Sequence, residues 1–103
     1  MTASLFVMYP HPSDPARFDR QYAEEHLPLA AKSLGGVTRV VTHPVLGTPE
    51  GKAPYHRITE VVFESMAALE KTAASEGGAK TFAHARSMST GGAPLFVITQ
   101  PLA

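Results

Sequence analysis

The apolar positions of this chain concentrate in four short runs, and two stretches with helical spacing follow the first and the third of them. The short runs are rich in β-branched and aromatic residues, which is typical of strands. They predict strands at residues 4–9, 37–45, 55–63 and 94–99. A polar, turn-rich loop at residues 47–54 joins the second strand to the third, which favours a hairpin.

The first helical pattern occupies residues 15–32. It begins at Ser13-Asp14-Pro15, where a capping side chain precedes a proline in the first turn that needs no N–H. Pro28 has no N–H for the carbonyl group of Glu24, so we expect a bend there. The Gly35-Gly36 pair ends the helix.

The second helical pattern follows Ser65, which we predict to be its capping residue. The Gly77-Gly78 pair breaks this helix, and a short helical piece is expected at about residues 79–86, with Phe82 facing inward. The apolar stripe of the second helix consists of Met66, Leu69 and Ala73.

The order of these elements, β-α-β-β-α-β, predicts an α+β fold of the ferredoxin-like type, with a four-stranded antiparallel sheet and both helices on one face. We expect residues 1–103 to form a single domain, because 103 residues is the length of one domain. The first and fourth strands are apolar at nearly every position, which is typical of strands buried on both faces. No other element is left to cover the second face. A second copy packed sheet against sheet would cover it, so we expect a homodimer.

Composition narrows the classes of function. Nine basic and nine acidic residues cancel, so charge gives no reason to expect nucleic acid or an anionic membrane as a partner. The absence of cysteine excludes disulfides, a thiolate nucleophile and thiolate-bound zinc or iron–sulfur clusters. No apolar run approaches the ~20 residues of a membrane span, and no basic residue precedes the first apolar run as in a secretory signal. We therefore expect a cytoplasmic protein.

Phe18, Tyr22, His26 and Leu29 recur at the spacing of one helix face. Such a face normally meets a core, yet this one carries an imidazole and a phenol. His26 is the first candidate catalytic residue, because an imidazole with an unperturbed pKa of ~6.5 transfers protons near neutral pH. The alternative is a core histidine that only stabilises the fold.

Glu60 is the second candidate catalytic residue. It shares one face of the third strand with His56, and Arg57 and Thr59 lie on the other face. If the Glu60 face meets the helices, its carboxylate reaches His26, fixes the ring tautomer and raises the pKa of the imidazole. If the other face meets them, Glu60 lies between the two sheets of a dimer. We favour the first arrangement.

Tyr22 is the third candidate catalytic residue, because its phenol can donate a hydrogen bond to a carbonyl or enolate oxygen. Its alternative role is to close the end of a small core. Asp19 is expected to face solvent. No helix carries a pair of histidines with metal-site spacing, and the glycine pairs form no nucleotide-binding pattern, so neither a metal nor a cofactor is predicted. The predicted substrate contacts are Tyr9, Phe18, Leu29 and Phe82, and no role is given to His11, His43 and His84.

Several short motifs are spread along nearly the whole chain. They are Tyr9-Pro10, Asp14-Pro15, Phe18-Asp19, Tyr22, His26-Leu27-Pro28-Leu29-Ala30, Arg57-Ile58 with Glu60, Phe63-Glu64-Ser65 and Gly91-Gly92. In this order they resemble the EthD family, whose name comes from an ethyl tert-butyl ether degradation cluster. The resemblance implies a dimeric α/β barrel of two ferredoxin-like protomers. Related barrels include cofactor-free cyclases, decarboxylases, isomerases and monooxygenases as well as haem-degrading proteins, so the resemblance does not choose a reaction.

Two classes of function follow. The first is a cofactor-free enzyme that isomerises, cyclises, dehydrates or decarboxylates a hydrophobic carbonyl or aromatic compound, with His26 as general acid or base. The second is a protein that binds a small hydrophobic ligand without turnover, or that serves an oxygenase partner. A sealed core around His26 would mean that no site exists there, and haem ligation by His26 would need a much wider cleft.

Overall fold

The computed structural model describes residues 1–102. Four strands form one sheet: β1 (Ala3–Pro10), β2 (Val37–Pro44), β3 (Tyr55–Phe63) and β4 (Leu95–Thr99). Their spatial order is β2-β3-β1-β4, and every neighbouring pair is antiparallel. Helices follow β1 and β3 in the chain, so the predicted ferredoxin-like fold is confirmed.

The strand register gives the sheet two different faces. The helix-facing side buries Leu5 and Val7 of β1 together with Val61 and Phe63 of β3, and these residues form the core with side chains of the helices. The helices contact this side, so most side chains on the opposite side are only half-buried or exposed. We name that opposite side the outer face, which carries Ser4, Phe6, Met8, Ile58, Glu60, Val62, Leu95 and Val97.

The single helix predicted at residues 15–32 consists of three consecutive segments. They are α1 (Pro15–Gln21), a π-helical turn (Tyr22–His26) and α2 (Leu27–Ser33). The predicted start is confirmed, because the Asp14 carboxylate accepts a hydrogen bond from the N–H of Arg17 at 3.1 Å. No helix among residues 1–102 is long and apolar enough to span a membrane.

The π-turn changes which side of α2 faces the core. In this turn the N–H of Leu27 donates to the carbonyl group of Tyr22, five residues back. One extra residue in a turn rotates the following helix by about 100° relative to an uninterrupted α-helix. The apolar stripe therefore continues at Leu27 and Leu34, which pack against the core, and not at Leu29 as predicted. The interruption lies just before Pro28, where we expected a bend.

A β-bulge at the start of β3 places two consecutive side chains on the helix-facing side. Tyr9 pairs with Arg57 and Pro10 pairs with Tyr55, so His56 is the extra residue. The regular alternation that placed His56 on the face of Glu60 is therefore wrong at this end of the strand.

The second half of the chain contains two helices, α3 (Met66–Ala73) and α4 (Glu76–Met88). The Ser65 cap of α3 is confirmed, since its hydroxyl accepts from the N–H of Ala68 at 3.1 Å. The predicted break at Gly77-Gly78 is wrong, because α4 begins at Glu76 and both glycines lie in its first turn. Glycine is needed at position 77 for a steric reason and not to end a helix. A Cβ atom there would meet the carbonyl oxygen of Ser33 at the end of α2.

We expect Gly77→Ala to destabilise the fold, although alanine in a helix is normally ~1 kcal/mol more favourable than glycine. The added methyl group collides with the backbone of Ser33, and overpacking of this kind costs ~1–3 kcal/mol. Urea unfolding measures the difference. The matched control is Ala79→Gly, an exposed position in the same helix, which should lose ~1 kcal/mol through helix propensity alone. A Gly77→Ala protein more stable than the wild type would show that α2 and α4 do not touch at this point.

Candidate functional site

His26 is the last residue of the π-turn and is only 6% exposed. Its Nε2 atom lies 3.5 Å from the hydroxyl group of Tyr9 on β1. Its Nδ1 atom lies 2.9 Å from the Nδ1 atom of His84 on α4, and the two imidazole rings are nearly parallel with centroids 5.2 Å apart. The tertiary fold thus joins His26 to two side chains from distant parts of the sequence.

We assign the direction of these hydrogen bonds from the position of the Glu25 carboxylate. This carboxylate lies 3.6 Å from the Nε2 atom of His84, which is an ion-pair distance and too long for a hydrogen bond. A carboxylate favours an N–H group over a lone pair, so neutral His84 carries its proton on Nε2 and accepts at Nδ1. His26 then donates from Nδ1 to His84, and the lone pair on its Nε2 atom faces the Tyr9 hydroxyl. We name this series of four side chains, Glu25, His84, His26 and Tyr9, the histidine chain.

Burial keeps His26 and Tyr9, the two members at one end of the histidine chain, uncharged. Loss of hydration, and secondarily the neighbouring His84, lower the pKa of the His26 imidazole from 6.5 to about 4. Burial also raises the pKa of the Tyr9 phenol well above its ordinary value, so this group remains a hydrogen-bond donor. At neutral pH the site therefore presents an uncharged base beside an uncharged acid.

Tyr22 is buried beside His26, but its hydroxyl group is already engaged. It forms a 2.5 Å hydrogen bond with the hydroxyl group of Thr59 on β3, and the guanidinium group of Arg57 lies 4.6 Å from its ring centroid. Its ring also packs against His26, with centroids 5.5 Å apart. In this structure Tyr22 positions the imidazole, and Tyr9 is the residue that presents a phenol to it.

Asp19 lies in a polar cluster that the sequence did not indicate. Its carboxylate is 2.9 Å from the Nε2 atom of His56 and 3.5 Å from the Arg57 guanidinium group. Arg57 also donates to the hydroxyl group of Thr42 at 3.0 Å, and Thr42 accepts a further hydrogen bond from Thr59. The expectation that Asp19 faces only solvent is wrong, because its carboxylate anchors α1 to the bulged start of β3.

Glu60 lies on the outer face of the sheet, away from His26. Its carboxylate accepts a hydrogen bond from the hydroxyl group of Ser4 at 2.8 Å. The favoured arrangement of the third strand, with Glu60 toward the helices, is therefore wrong. The physical reason is that the opposite side of β3 carries Val61 and Phe63, whose burial against the helices gives more hydrophobic stabilisation.

The sequence gives His84 no role, because a positive charge near the end of a helix is favourable without any function. The expectation that Phe82 faces inward is confirmed, since Phe82 packs against the core. The buried residues of α4 are Gly78, Thr81, Ala85 and Met88. His84 follows Thr81 by three residues, so helical spacing places both toward the same side. This spacing indicates a buried side for His84 only after Thr81 is known to be buried. Among residues 1–102, no three His, Asp or Glu side chains are grouped to hold a metal ion.

Two neighbouring apolar cavities lie between the sheet and the helices, and the smaller one adjoins the histidine chain. A space of about 30 Å³ lies against His26, Tyr9 and Tyr22, which is room for one water molecule. A cavity of about 250 Å³ lies beside it, toward the edge strand β4. The side chains that line both spaces are Leu5, Leu34, Phe82 and Phe96. A ligand in the larger cavity reaches His26 only if this shared wall moves.

The cavities separate the predicted substrate contacts into two groups. Tyr9 and Phe82 line these spaces. Phe18 does not, because its ring is buried against that of Tyr9 with centroids 5.0 Å apart. Leu29 does not either, because the π-turn has rotated it away from the core stripe. The structure therefore does not bring Phe18 and Leu29 to the cleft where we expected a ligand.

This arrangement is a ferredoxin-like α+β fold with an apolar cleft between its layers. The sequence matches the EthD domain family over residues 10–88, so the chain belongs to the EthD family. It is also similar to an uncharacterized 11.0 kDa protein in the thcB-thcC intergenic region of Rhodococcus erythropolis. The two are 28% identical over 86 residues, which cover 84% of this chain and 82% of the relative.

Solved structures share this fold at lower sequence identity. An EthD family protein of Bacillus halodurans has a TM-score of 0.89 at 22% identity, covering 99% of this chain and 100% of its own. A dimeric ferredoxin-like protein of Jannaschia has a TM-score of 0.71 at 19% identity, covering 98% and 100%. SnoaB of Streptomyces nogalater, a cofactor-independent oxygenase, has a TM-score of 0.64 at 15% identity, covering 99% and 93%. At these identities the likeness shows the fold alone.

We expect the NMR signal of the His26 Cε1–H group to remain that of a neutral imidazole at ~pH 5, well below the ordinary histidine pKa, because burial lowers its pKa to about 4. The His26→Gln spectrum identifies the signal. Between pH 6.5 and 4 the unfolded chain binds a proton that folded His26 excludes, so the free energy of unfolding falls as the pH falls.

The same variant provides the control for this pH dependence. In His26→Gln the free energy of unfolding, measured by urea unfolding, should no longer show the part of its fall between pH 6.5 and 4 that His26 causes. That part is up to ~3 kcal/mol. Titration of the His26 signal near pH 6.5 would show an imidazole open to water and would contradict the buried neutral base.

Proposed function

We propose that this EthD family protein is a cofactor-free enzyme that moves a proton on a hydrophobic carbonyl or aromatic compound. The observation that carries the proposal is the histidine chain at the end of an apolar cleft. The lone pair of His26 and the hydroxyl group of Tyr9 lie 3.5 Å apart at the same small space, as a base and an acid. Isomerisation, dehydration, cyclisation and decarboxylation all use such a pair.

In the proposed step, the Nε2 atom of His26 removes a proton from the carbon next to the substrate carbonyl group. The electrons of the broken C–H bond form an enolate, and its oxygen accepts a hydrogen bond from the Tyr9 hydroxyl. His26 then passes its Nδ1 proton to the Nδ1 atom of His84, which faces the Glu25 carboxylate. The reverse transfer returns a proton to another atom of the substrate, which completes an isomerisation.

The histidine chain compensates for the weak basicity of His26. An imidazole with a pKa of about 4 holds a proton poorly at neutral pH. The side chain of His84 is 24% exposed and lies beside a carboxylate, so a positive charge there is both hydrated and paired. We therefore assign His84 as a positioning residue that also takes up the charge from His26.

The fold comparison supports cofactor-free chemistry only in a general way. SnoaB, which shares the fold, is described as a cofactor-independent oxygenase. That description belongs to SnoaB, and it supports the view that a cleft of this fold can hold a reaction without a bound cofactor. The proposal for this chain rests on its own residues.

A second candidate function is ligand binding without turnover, as a carrier or as an accessory to an oxygenase. The observation that favours it is the small space at His26, which admits about one water molecule until Phe82 or its neighbours in the shared wall move. A ligand held in the larger cavity without this movement would never meet the imidazole. Proton exchange on a bound compound separates the two candidates.

We also propose that a second copy of the chain covers the outer face. Phe6, Met8 and Ile58 are apolar and half-buried there, and Leu95 is 46% exposed. Packing two such faces together removes this apolar surface from water and covers the hydrogen bond between Ser4 and Glu60. The structural relative from Jannaschia is described as dimeric, which supports a dimer without indicating which faces meet.

We expect the protein to accelerate deuterium exchange next to the carbonyl group of bicyclic ketones such as 1-tetralone and 2-tetralone in D₂O, followed by proton NMR. His26→Gln should lower the enzyme-dependent rate at least ~100-fold, because general base catalysis contributes that much. Tyr9→Phe should lower it ~100-fold or more through loss of a donor to the enolate. His84→Gln should lower it less and shift its pH profile.

The matched control for these variants is Glu24→Gln, an exposed carboxylate in the same π-turn, which should leave the exchange rate unchanged. Ketone binding without exchange above the rate of buffer would favour the second candidate. Exchange that survives His26→Gln at full rate would exclude His26 as the base.

We expect the wild type to elute as a dimer in size-exclusion chromatography with light scattering. Leu95→Glu should produce monomers, because the new carboxylate would be buried against the partner face without a counter-charge. Leu46→Glu is the control, since Leu46 is 97% exposed in the loop between β2 and β3. A monomeric wild type, or a Leu95→Glu protein that stays dimeric, would refute sheet-to-sheet association.

A further inference from the structure

We infer that the larger cavity binds a small aromatic or alicyclic carboxylate, with the apolar body inside and the carboxylate at Arg86. This inference names a substrate class and rests on the proposed function for taking the cavity beside His26 as the substrate site. Arg86 lines the 250 Å³ cavity and follows Phe82 by one turn of α4. Its guanidinium group lies 5.5 Å from the ring centroid of Phe96 on β4.

Elimination of the other polar groups leaves Arg86 as the ligand partner. Apart from Arg86, the polar side chain that lines this cavity is Thr72. The Thr72 hydroxyl donates to the carbonyl oxygen of Gly35 at 2.7 Å and accepts from the N–H of Gly35 at 3.2 Å, so it is already satisfied. Among residues 1–102, Arg86 has no carboxylate within ion-pair distance. Arg86 is itself exposed and lines the cavity, so it brings an unbalanced positive charge to the cavity mouth.

The remaining lining selects the body of the ligand. Leu5, Phe63, Leu69 and the rings of Phe82 and Phe96 enclose the cavity with apolar surface. A volume of about 250 Å³ is below that of most drug-sized sites and suits a bicyclic compound of about a dozen non-hydrogen atoms. A polar body would leave hydrogen-bonding groups unsatisfied among these side chains.

The position of Arg86 also orients the ligand. The cavity opens at the edge strand β4, where Ile98 is 53% exposed, and closes toward the wall that it shares with the space at His26. A carboxylate held at the mouth by Arg86 therefore directs the opposite end of the molecule toward Phe82 and His26. The reacting carbonyl group would lie at that end, remote from the carboxylate.

A binding experiment with two nearly isosteric probes tests this inference without depending on catalysis. The probes are 2-naphthoate and 2-naphthamide, which differ in charge and have no proton on a saturated carbon next to the carbonyl group. In isothermal titration calorimetry at pH 7.5, the wild type should bind 2-naphthoate about three- to tenfold more tightly than 2-naphthamide. This is the gain expected from a charged pair at a partly exposed site. Arg86→Gln should remove this preference and leave naphthamide binding unchanged.

Two further variants complete the design. Ala73→Leu places a larger side chain into the cavity from an exposed position at the end of α3, so it should weaken both probes at least tenfold without disturbing the core. Arg20→Gln removes an exposed arginine of α1 and should change neither affinity. The inference is overturned if naphthoate does not bind, if its preference survives Arg86→Gln, or if Ala73→Leu leaves binding intact. The two proposals can fail separately. If naphthoate binding depends on Arg86 but the protein does not accelerate deuterium exchange of the ketones, the carboxylate site is supported and only the proposed proton transfer is refuted.

Discussion

The π-turn at Tyr22–His26 is the constraint on which the site depends. Pro28 offers no N–H to the preceding turn, and the wider turn shifts the helix phase so that His26 and Leu27 both reach the buried side. Without this extra residue, His26 and the apolar side chains of α2 would lie on different faces of one straight helix, and both could not face the core. The turn thus lets one segment place an imidazole at the core and still pack its remaining length against the sheet.

A buried imidazole is acceptable only because its neighbours satisfy it. His84 accepts the hydrogen bond of one ring nitrogen, the Tyr9 hydroxyl faces the other, and Tyr22 packs against the ring. The bulge in β3 supplies the next layer, where Asp19, His56 and Arg57 join α1 to the sheet beneath Tyr22. The same low polarity that lowers the pKa of His26 strengthens each of these interactions, and it makes the site sensitive to the loss of any single partner.

Strand and helix positions were predictable because they follow from local patterns. The four apolar runs became the four strands, and the Asp14 and Ser65 caps lie where their side chains can accept backbone N–H groups. Two local rules failed for identifiable reasons. The Gly77-Gly78 pair does not end a helix but permits close approach of helix backbones, and the bulge at His56 breaks strict alternation along β3. Both causes are contacts between distant parts of the chain, Gly77 with the backbone of Ser33 and Tyr9 with Arg57, so the residues near each position do not reveal them.

The sequence by itself determined the order of elements, the ferredoxin-like fold and the choice of His26 as a titratable group on a buried helix face. These properties depend on spacing along a short stretch of chain, which a periodic pattern records. Only the tertiary structure decided the partners of that group, because contacts between His26, His84 and Tyr9 join residues far apart in the chain. It also decided that Glu60 lies on the outer face, because the side of a strand that turns inward depends on the total apolar area buried by all the elements packed together.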